Sequence, residues 1–257
     1  DIFVPEVLIL GQDYKIPNDT TLCEKGPVDL NAEQINPNIT LTWCDQYGKE
    51  IGKNPVRVNP DSTTFYILKT RDQNDCGNRD TVRVYLYELD AMITGPDDIC
   101  KGDQAMLIVE SNHASEYTYT WTPKEGIIGS DKEAKLTVKP DNTTTYEVEI
   151  NNGKGCVWTL SHTIQVKDLS KEVFAKAEPE IIVAGVKSQL TTVNQSGYKY
   201  KWEPGDGLSA TDIYNPLAMP EKTTTYTVTV TDDLGCTATA SVTVTVLTCE
   251  ETVFVPN

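Results

Sequence analysis

Basic charge is what this chain most conspicuously lacks. Lys and Arg total 22 against 38 Asp and Glu, a net charge of −16. Nucleic acid and anionic membrane surfaces both need basic patches, so neither is an expected partner. No apolar run approaches the roughly 18 residues that would span a bilayer. Histidine is nearly absent: His113 lies in the polar stretch "SNHASEY" and His162 falls on the outward side of "TLSHTIQV". Neither sits near cysteines or acids at metal-ligand spacing. No glycine loop runs into a helix to cradle phosphate, and no activated nucleophile or acid–base pair stands out, so the chain does not read as an enzyme. Helical periodicity is missing over any useful length.

What is present is repetition. "PDSTTFYIL", "PDNTTTYEV" and "PEKTTTYTV" begin at Pro60, Pro140 and Pro220, 80 residues apart both times. Cys76, Cys156 and Cys236 keep the same interval, each ten residues after Tyr66, Tyr146 or Tyr226. Trp43, Trp121 and Trp202 each precede a glycine by five residues: Gly48, Gly126 and Gly207. "TLCEKGPVDL" (21–30) matches "DICKGDQAML" (98–107) and, with Val183 in place of the cysteine, "IIVAGVKSQL" (181–190). Self-similarity at a fixed period marks a repeat architecture. Three units are expected, 1–89, 90–169 and 170–257.

Within a unit the period is two. "YEVEI" sets Tyr146, Val148 and Ile150 on one face and Glu147 and Glu149 on the other. "ASVTVTV" sets Ala240, Val242, Val244 and Val246 against Ser241, Thr243 and Thr245. Thr, Val and Tyr suit strands. About seven short strands in some 80 residues predict an all-β, antiparallel sandwich. In such a fold the proline ends one strand and the threonines cross between sheets. The tyrosine opens an inward-facing strand as a corner brace whose hydroxyl bonds to nearby backbone, and the tryptophan fills the core. Trp43, Trp121, Trp202, Tyr66, Tyr146 and Tyr226 are therefore expected to be structural.

"YKWEPGDG" (200–207) with "TTTYTVTVTDDLGC" (223–236) resembles the PKD domain. The first two units, with "WCDQYG" and "WTPKEG", are similar to the looser PKD- or immunoglobulin-like repeats of large Bacteroidetes surface proteins. The final "CEETVFVPN" (249–257) is similar to the approach to a gliding-motility-associated C-terminal domain, a sorting signal for type IX secretion. The resemblance implies three tandem immunoglobulin-like/PKD-like domains forming an elongated rod. It implies a segment of a secreted, outer-membrane-attached adhesin used in gliding motility or attachment. Expected partners are neighbouring domains of the same longer polypeptide and, through the C-terminal domain, the type IX secretion and gliding machinery. The alternative is a glycan-binding or spacer region of a secreted polysaccharide-degrading enzyme, with extracellular polysaccharide as partner. Tyr85 with Tyr87, and Tyr198 with Tyr200, are the candidate sugar platforms. Strand lengths give ~35–40 Å per unit and a rod of ~110 Å.

No cofactor is expected. Calcium at acidic turns is the sharper reading of the charge, with "GPDD" (95–98), "PGDGLSATD" (204–212) and "TDDLG" (231–235) as candidates, against a plain solvated exterior. Sequons at Asn18, Asn38, Asn142 and Asn194, and Thr20, Ser62 and Thr81 in a Bacteroidetes-like O-glycan pattern, are short matches of low information.

Seven cysteines in a Thr-rich β chain suggest an oxidising, extracellular compartment. Counting within units pairs Cys23 with Cys76 and Cys100 with Cys156. Topology argues otherwise. Cys23 and Cys100 precede the second strand at one end of a sandwich. Cys76, Cys156 and Cys236 follow the sixth strand at the other end, some 25–33 Å away, whereas a disulfide needs α-carbons within about 7 Å. In a head-to-tail array those ends meet between neighbours, giving Cys23–Cys156 and Cys100–Cys236. Cys76 is then left for a preceding domain and Cys249 for a following one. Cys44 fits neither scheme, as a free thiol or a competitor for Cys23. Trp158 either packs in a junction or makes an ordinary hairpin contact.

Overall fold

The computed structural model describes residues 13–247. Cys249, the terminal "VFVPN" and the opening "IFVPEVLIL" lie outside the described residues. Strands dominate, interrupted among the described residues by two short 3-10 turns, Ala114–Glu116 and Leu169–Lys171. Among the described residues no helix is long and apolar enough to cross a membrane.

The second unit displays the plan. One sheet runs Asp98–Cys100, Val157–Lys167, Thr144–Asn151, Thr118–Thr122, and the other runs Met92–Thr94, Ala105–Glu110, Lys135–Val138, Ile127–Ile128. Leu107 and Leu136 from one sheet meet Trp121, Tyr146, Val148 and Ile150 from the other in a single cluster. The third unit repeats this with Ile181–Val183, Thr237–Leu247, Thr224–Thr231 and Lys199–Glu203 in one sheet. The first unit differs after its tryptophan. There Glu50–Lys53 pairs with Thr40–Cys44, making a five-stranded sheet. Each unit has its own hydrophobic cluster, centred on Trp43, Trp121 or Trp202.

In each unit one short strand runs parallel to the last long strand: Thr20–Leu22 beside Arg79–Leu86, Asp98–Cys100 beside Val157–Lys167, Ile181–Val183 beside Thr237–Leu247. A parallel neighbour at this place needs a chain that changes sheets before its second long strand. It also carries Cys23 and Cys100 to the end of the sandwich where the last strand leaves.

The repeated motif now resolves atom by atom. Pro60, Pro140 and Pro220 are buried. The first threonine, Thr63, Thr143 or Thr223, accepts the backbone N–H of Leu86, Val166 or Val246 at 3.0, 3.1 and 3.1 Å. Thr145 and Thr225 meet Thr163 and Thr243 across the sheet, both at 2.8 Å. Tyr146 and Tyr226 are fully buried, and their hydroxyls donate to the carbonyls of Glu125 (3.2 Å) and Asp206 (3.0 Å). The partner carbonyl lies in the turn after the tryptophan strand, 20 or so residues away, so it is near in space and not in sequence.

That turn explains the Trp-to-Gly spacing. Gly126 and Gly207 have φ of +76° and +77°, and a Cβ would come within 3.0 Å of Lys139 O and Tyr146 Oη in one case and 2.9 Å of Met219 O in the other. Only glycine tolerates both the conformation and the approach. The tryptophan indoles are satisfied by Asn54 Oδ1 (3.0 Å), Glu133 O and Ile213 O (both 2.9 Å). Tyr66 is buried too, but its hydroxyl makes no hydrogen bond among the described residues.

Cys44 follows Trp43 at an irregularity in the pairing of Thr40–Cys44 with Glu50–Lys53. It is unpaired and 1 % exposed, and it lies outside the cluster that holds Trp43. By alternation Cys44 points opposite to Trp43, away from that core, and the structure covers it there.

The domain junctions as candidate functional site

The most constrained chemistry lies between units. Cys23 is bonded to Cys156 and Cys100 to Cys236, with α-carbons 5.4 and 5.3 Å apart and sequence separations of 133 and 136. One partner ends or follows the short parallel strand. The other ends the turn between the last two long strands of the next unit.

The receiving turn is built by one acid or amide. Asn152 Oδ1 accepts the backbone N–H of Lys154 (2.8 Å) and Cys156 (3.0 Å), and Asp232 Oδ1 accepts that of Cys236 (2.8 Å). The turn closes through N–H to carbonyl bonds, Asn152 to Cys156 at 3.2 Å and Asp232 to Cys236 at 3.0 Å. The candidate calcium turn "TDDLG" is thus occupied with holding a cysteine. Among the described residues no three His, Cys, Asp or Glu side chains gather as a metal site.

The first junction is aromatic. Trp158 Nε1 donates to Cys23 O at 3.2 Å across the junction and packs edge-on against Tyr117. Lys154 lies over the Tyr87 ring, 5.5 Å from its centre, and pairs with Glu116 at 3.4 Å. Leu89 and Ala91 of the connecting segment pack against the second unit's cluster. Tyr85 and Tyr87 are half-buried with parallel rings 6.4 Å apart.

The second junction is ionic. Lys167 Nζ reaches Asp232 Oδ2 at 3.0 Å and Asp233 Oδ1 at 3.6 Å. The Asp232 side chain is fully buried, whereas that of Lys167 keeps 37 % of its exposure. Burial pushes the Asp232 carboxyl up, but the Lys167 ammonium and the Cys236 N–H outweigh it, and the net position is below the usual value. Asp168 is held down to about 2 by the Lys101 ammonium at 2.7 Å and the Ser170 hydroxyl. Leu169, next in the linker, is buried in the third unit's cluster. Both connecting segments therefore lean forward onto the following unit. Tyr198 and Tyr200 are tied up nearby: Tyr198 donates to Glu172 at 2.9 Å and Tyr200 packs near Tyr214.

The remaining candidates stand apart. His113 contacts Glu116 at 3.3 Å on an exposed turn. His162 is more enclosed than its strand position implied, its side chain 14 % exposed between Pro96 O (3.1 Å) and Asp97 (3.5 Å). Cys76 is exposed and unpaired. The Lys167–Asp232 pair had no sequence signal, since its members lie in different units.

No protein-family model matches the sequence, and no curated protein matches it. Solved structures are similar to it. Sidekick-1 immunoglobulin domains 1–5 are 11 % identical over 91 % of this chain and 58 % of that chain, with a TM-score of 0.36. The N-terminal eight immunoglobulin domains of Down syndrome cell adhesion molecule isoform 1.30.30 are 10 % identical over 91 % and 36 %, at 0.47. Drosophila N-cadherin EC1–4 is 11 % identical over 92 % and 76 %, at 0.32. The chain thus spans just over half of the first and about a third of the second. These are likenesses of tandem β-domain architecture, and the fold itself rests on the strand pairing above.

Proposed function

We propose that this chain is a non-catalytic, load-bearing spacer of a secreted cell-surface adhesin, divided at 1–89, 90–169 and 170–257. The observation that carries the reading is the pair of disulfides that join neighbouring units. Domains connected by a single short linker move relative to one another by default, and a second covalent tie restricts that motion. A binding module needs no such tie, whereas a stalk that must hold a distal region away from a surface does. Disulfides also favour an oxidising, extracellular location. The finer reading, a gliding-motility adhesin exported by type IX secretion to the outer membrane, rests on the resemblance of "YKWEPGDG" and "VFVPN" to such proteins.

Small-angle scattering with and without reductant tests the reading. An extended particle of about 110 Å that becomes flexibly jointed on reduction is expected. A compact particle, or jointed beads indifferent to reductant, overturns it.

One observation favours a second reading. A cleft of 260 Å³ at the first junction is lined by Tyr87, Tyr117 and Trp158 with Glu116 and Lys154, the mix of rings and polar groups that a polysaccharide would use. Glycan-array binding lost in a Tyr117→Ala variant would favour it. A calcium-stiffened spacer, the third reading, predicts a large rise in Tm with millimolar calcium.

A further inference from the structure

The first unit carries a complete but unused copy of the receiving turn. Asp72 Oδ1 accepts the N–H of Cys76 at 2.8 Å and of Asn74 at 2.9 Å, and Asp72 N–H donates to Cys76 O at 2.9 Å. The two bonds to Cys76 are those that Asn152 and Asp232 make to Cys156 and Cys236, and Asn152 also repeats the third, from Lys154. The residue before the cysteine is left-handed in all three turns: Asp75 at φ +65°, Gly155 at +102°, Gly235 at +95°. Among the described residues Asp75 is the one non-glycine residue with positive φ. Its side chain is held by an ion pair with Arg71. The turn thus keeps an unfavourable backbone where, among the described residues, no covalent bond uses it.

The same frame is bonded twice elsewhere, each time to a cysteine at the end of a short strand parallel to the last strand of the preceding unit. The strand Tyr14–Lys15 lies at this end as well, since Asp13, Tyr14, Asp72 and Cys76 line one small cavity. In the two bonded turns the cysteine is 0 and 3 % exposed, but Cys76 is open to solvent.

We propose that the Asp72–Cys76 turn is a docking half-site for another immunoglobulin-like unit, one that presents a cysteine at the position of Cys23 and Cys100. This rests on the spacer reading and names its partner. The bond forms by exchange: the Cys76 thiolate attacks a small disulfide such as oxidised glutathione, releasing one glutathione thiol. The partner's thiolate then attacks the mixed disulfide and releases the second. A second copy of this chain is excluded as a partner through that strand position, because Cys23 and Cys100 are already bonded and the third unit has Val183 there. Val183 pairs with Leu247 as Cys100 pairs with Lys167, and it is 49 % exposed.

That exclusion supplies the test. The full chain carrying V183C, with C249S to remove another thiol, is incubated in a glutathione redox buffer. Head-to-tail multimers are expected on non-reducing gels, with peptide mapping joining position 183 to Cys76. The C249S chain with Val183 retained stays monomeric, and adding C76S to V183C abolishes the ladder. No ladder, a ladder that survives C76S, or Cys76 joined only to Cys76 overturns the proposal. The same map reads Cys23–Cys156 and Cys100–Cys236. Their absence would sink the spacer reading, and their presence without a ladder would sink only the docking site.

Discussion

Removing the first junction bond should destabilise the first unit far more than any surface change. In a C23S/C156S variant, the lost constraint is a loop closed over 133 residues. The chain-entropy relation puts that at about 5 kcal/mol, with 2–4 kcal/mol typical of measured cases. Dependence on loop length is logarithmic, so the figure hardly changes if the second unit stays folded and only the first unit's part of the loop is released. A domain of this size shifts its Tm by roughly 4–8 °C per kcal/mol, so even 2 kcal/mol predicts a fall of about 8 °C or more. Little at the junction compensates. Trp158 still donates to Cys23's backbone oxygen, which the variant keeps, and Lys154 still covers Tyr87. Differential scanning calorimetry should show one transition moving down and separating from the others. A shift below about 3 °C, with the wild-type bond verified by mapping, would refute the idea that the bridge constrains the unit.

Other outcomes follow from the second junction and the core. Lys167→Met leaves Asp232 buried without its cation. The cost is expected at about 1–3 kcal/mol in thermal melts, below that of a fully buried pair because Lys167 is partly solvated. Adding Asp232→Asn should recover most of it, since Asn152 builds the same turn without a charge. Asp168 and Asp232 have folded-state values below the unfolded 3.8, so their contribution is present above that pH and is lost as pH falls, for Asp168 between 3.8 and about 2. Scattering at pH 5 and at pH 2 should show the second junction loosening only at the lower value. Tyr146→Phe removes the bond to Glu125 O and should cost about 1 kcal/mol by denaturant titration, whereas Tyr66→Phe should cost much less, having no bond to lose among the described residues. Thr143→Val leaves the Val166 N–H without its acceptor, expected at roughly 1–3 kcal/mol.

How far the sequence could be read depends on whether each signal is local. Period-two patterning depends only on neighbours along a strand, so "YEVEI" declares its buried face directly, and its burial alternates as written. The 80-residue beat of Pro, Tyr and Cys is legible for the same reason: homologous turns preserve their own residues. Cys44 misleads because alternation says which way a side chain points and not what covers it. The tyrosine hydroxyls find carbonyls 20 residues upstream because Gly126 and Gly207 bring that turn back against the proline strand, a closure that no strand pattern encodes. Lys167 and Asp232 were unreadable as a pair. Each looks like an ordinary surface charge until the units are placed end to end.

The junction design accounts for why a bridge sits at this place and no other. Cys100 and Lys167 are register partners on adjacent parallel strands, so the linker and the disulfide leave the second unit side by side. A linker alone is a universal joint. A second attachment beside it leaves mainly rotation about the line through both points. A third contact resists that rotation, and each junction has one: Trp158 to Cys23 O with Lys154 over Tyr87 in the first, Lys167 to Asp232 with buried Leu169 in the second. The third contact is aromatic in one junction and ionic in the other, whereas the two covalent points are common to both. Stiffness at neutral pH should therefore be similar along the chain, and acid should soften it first at the Lys167 junction.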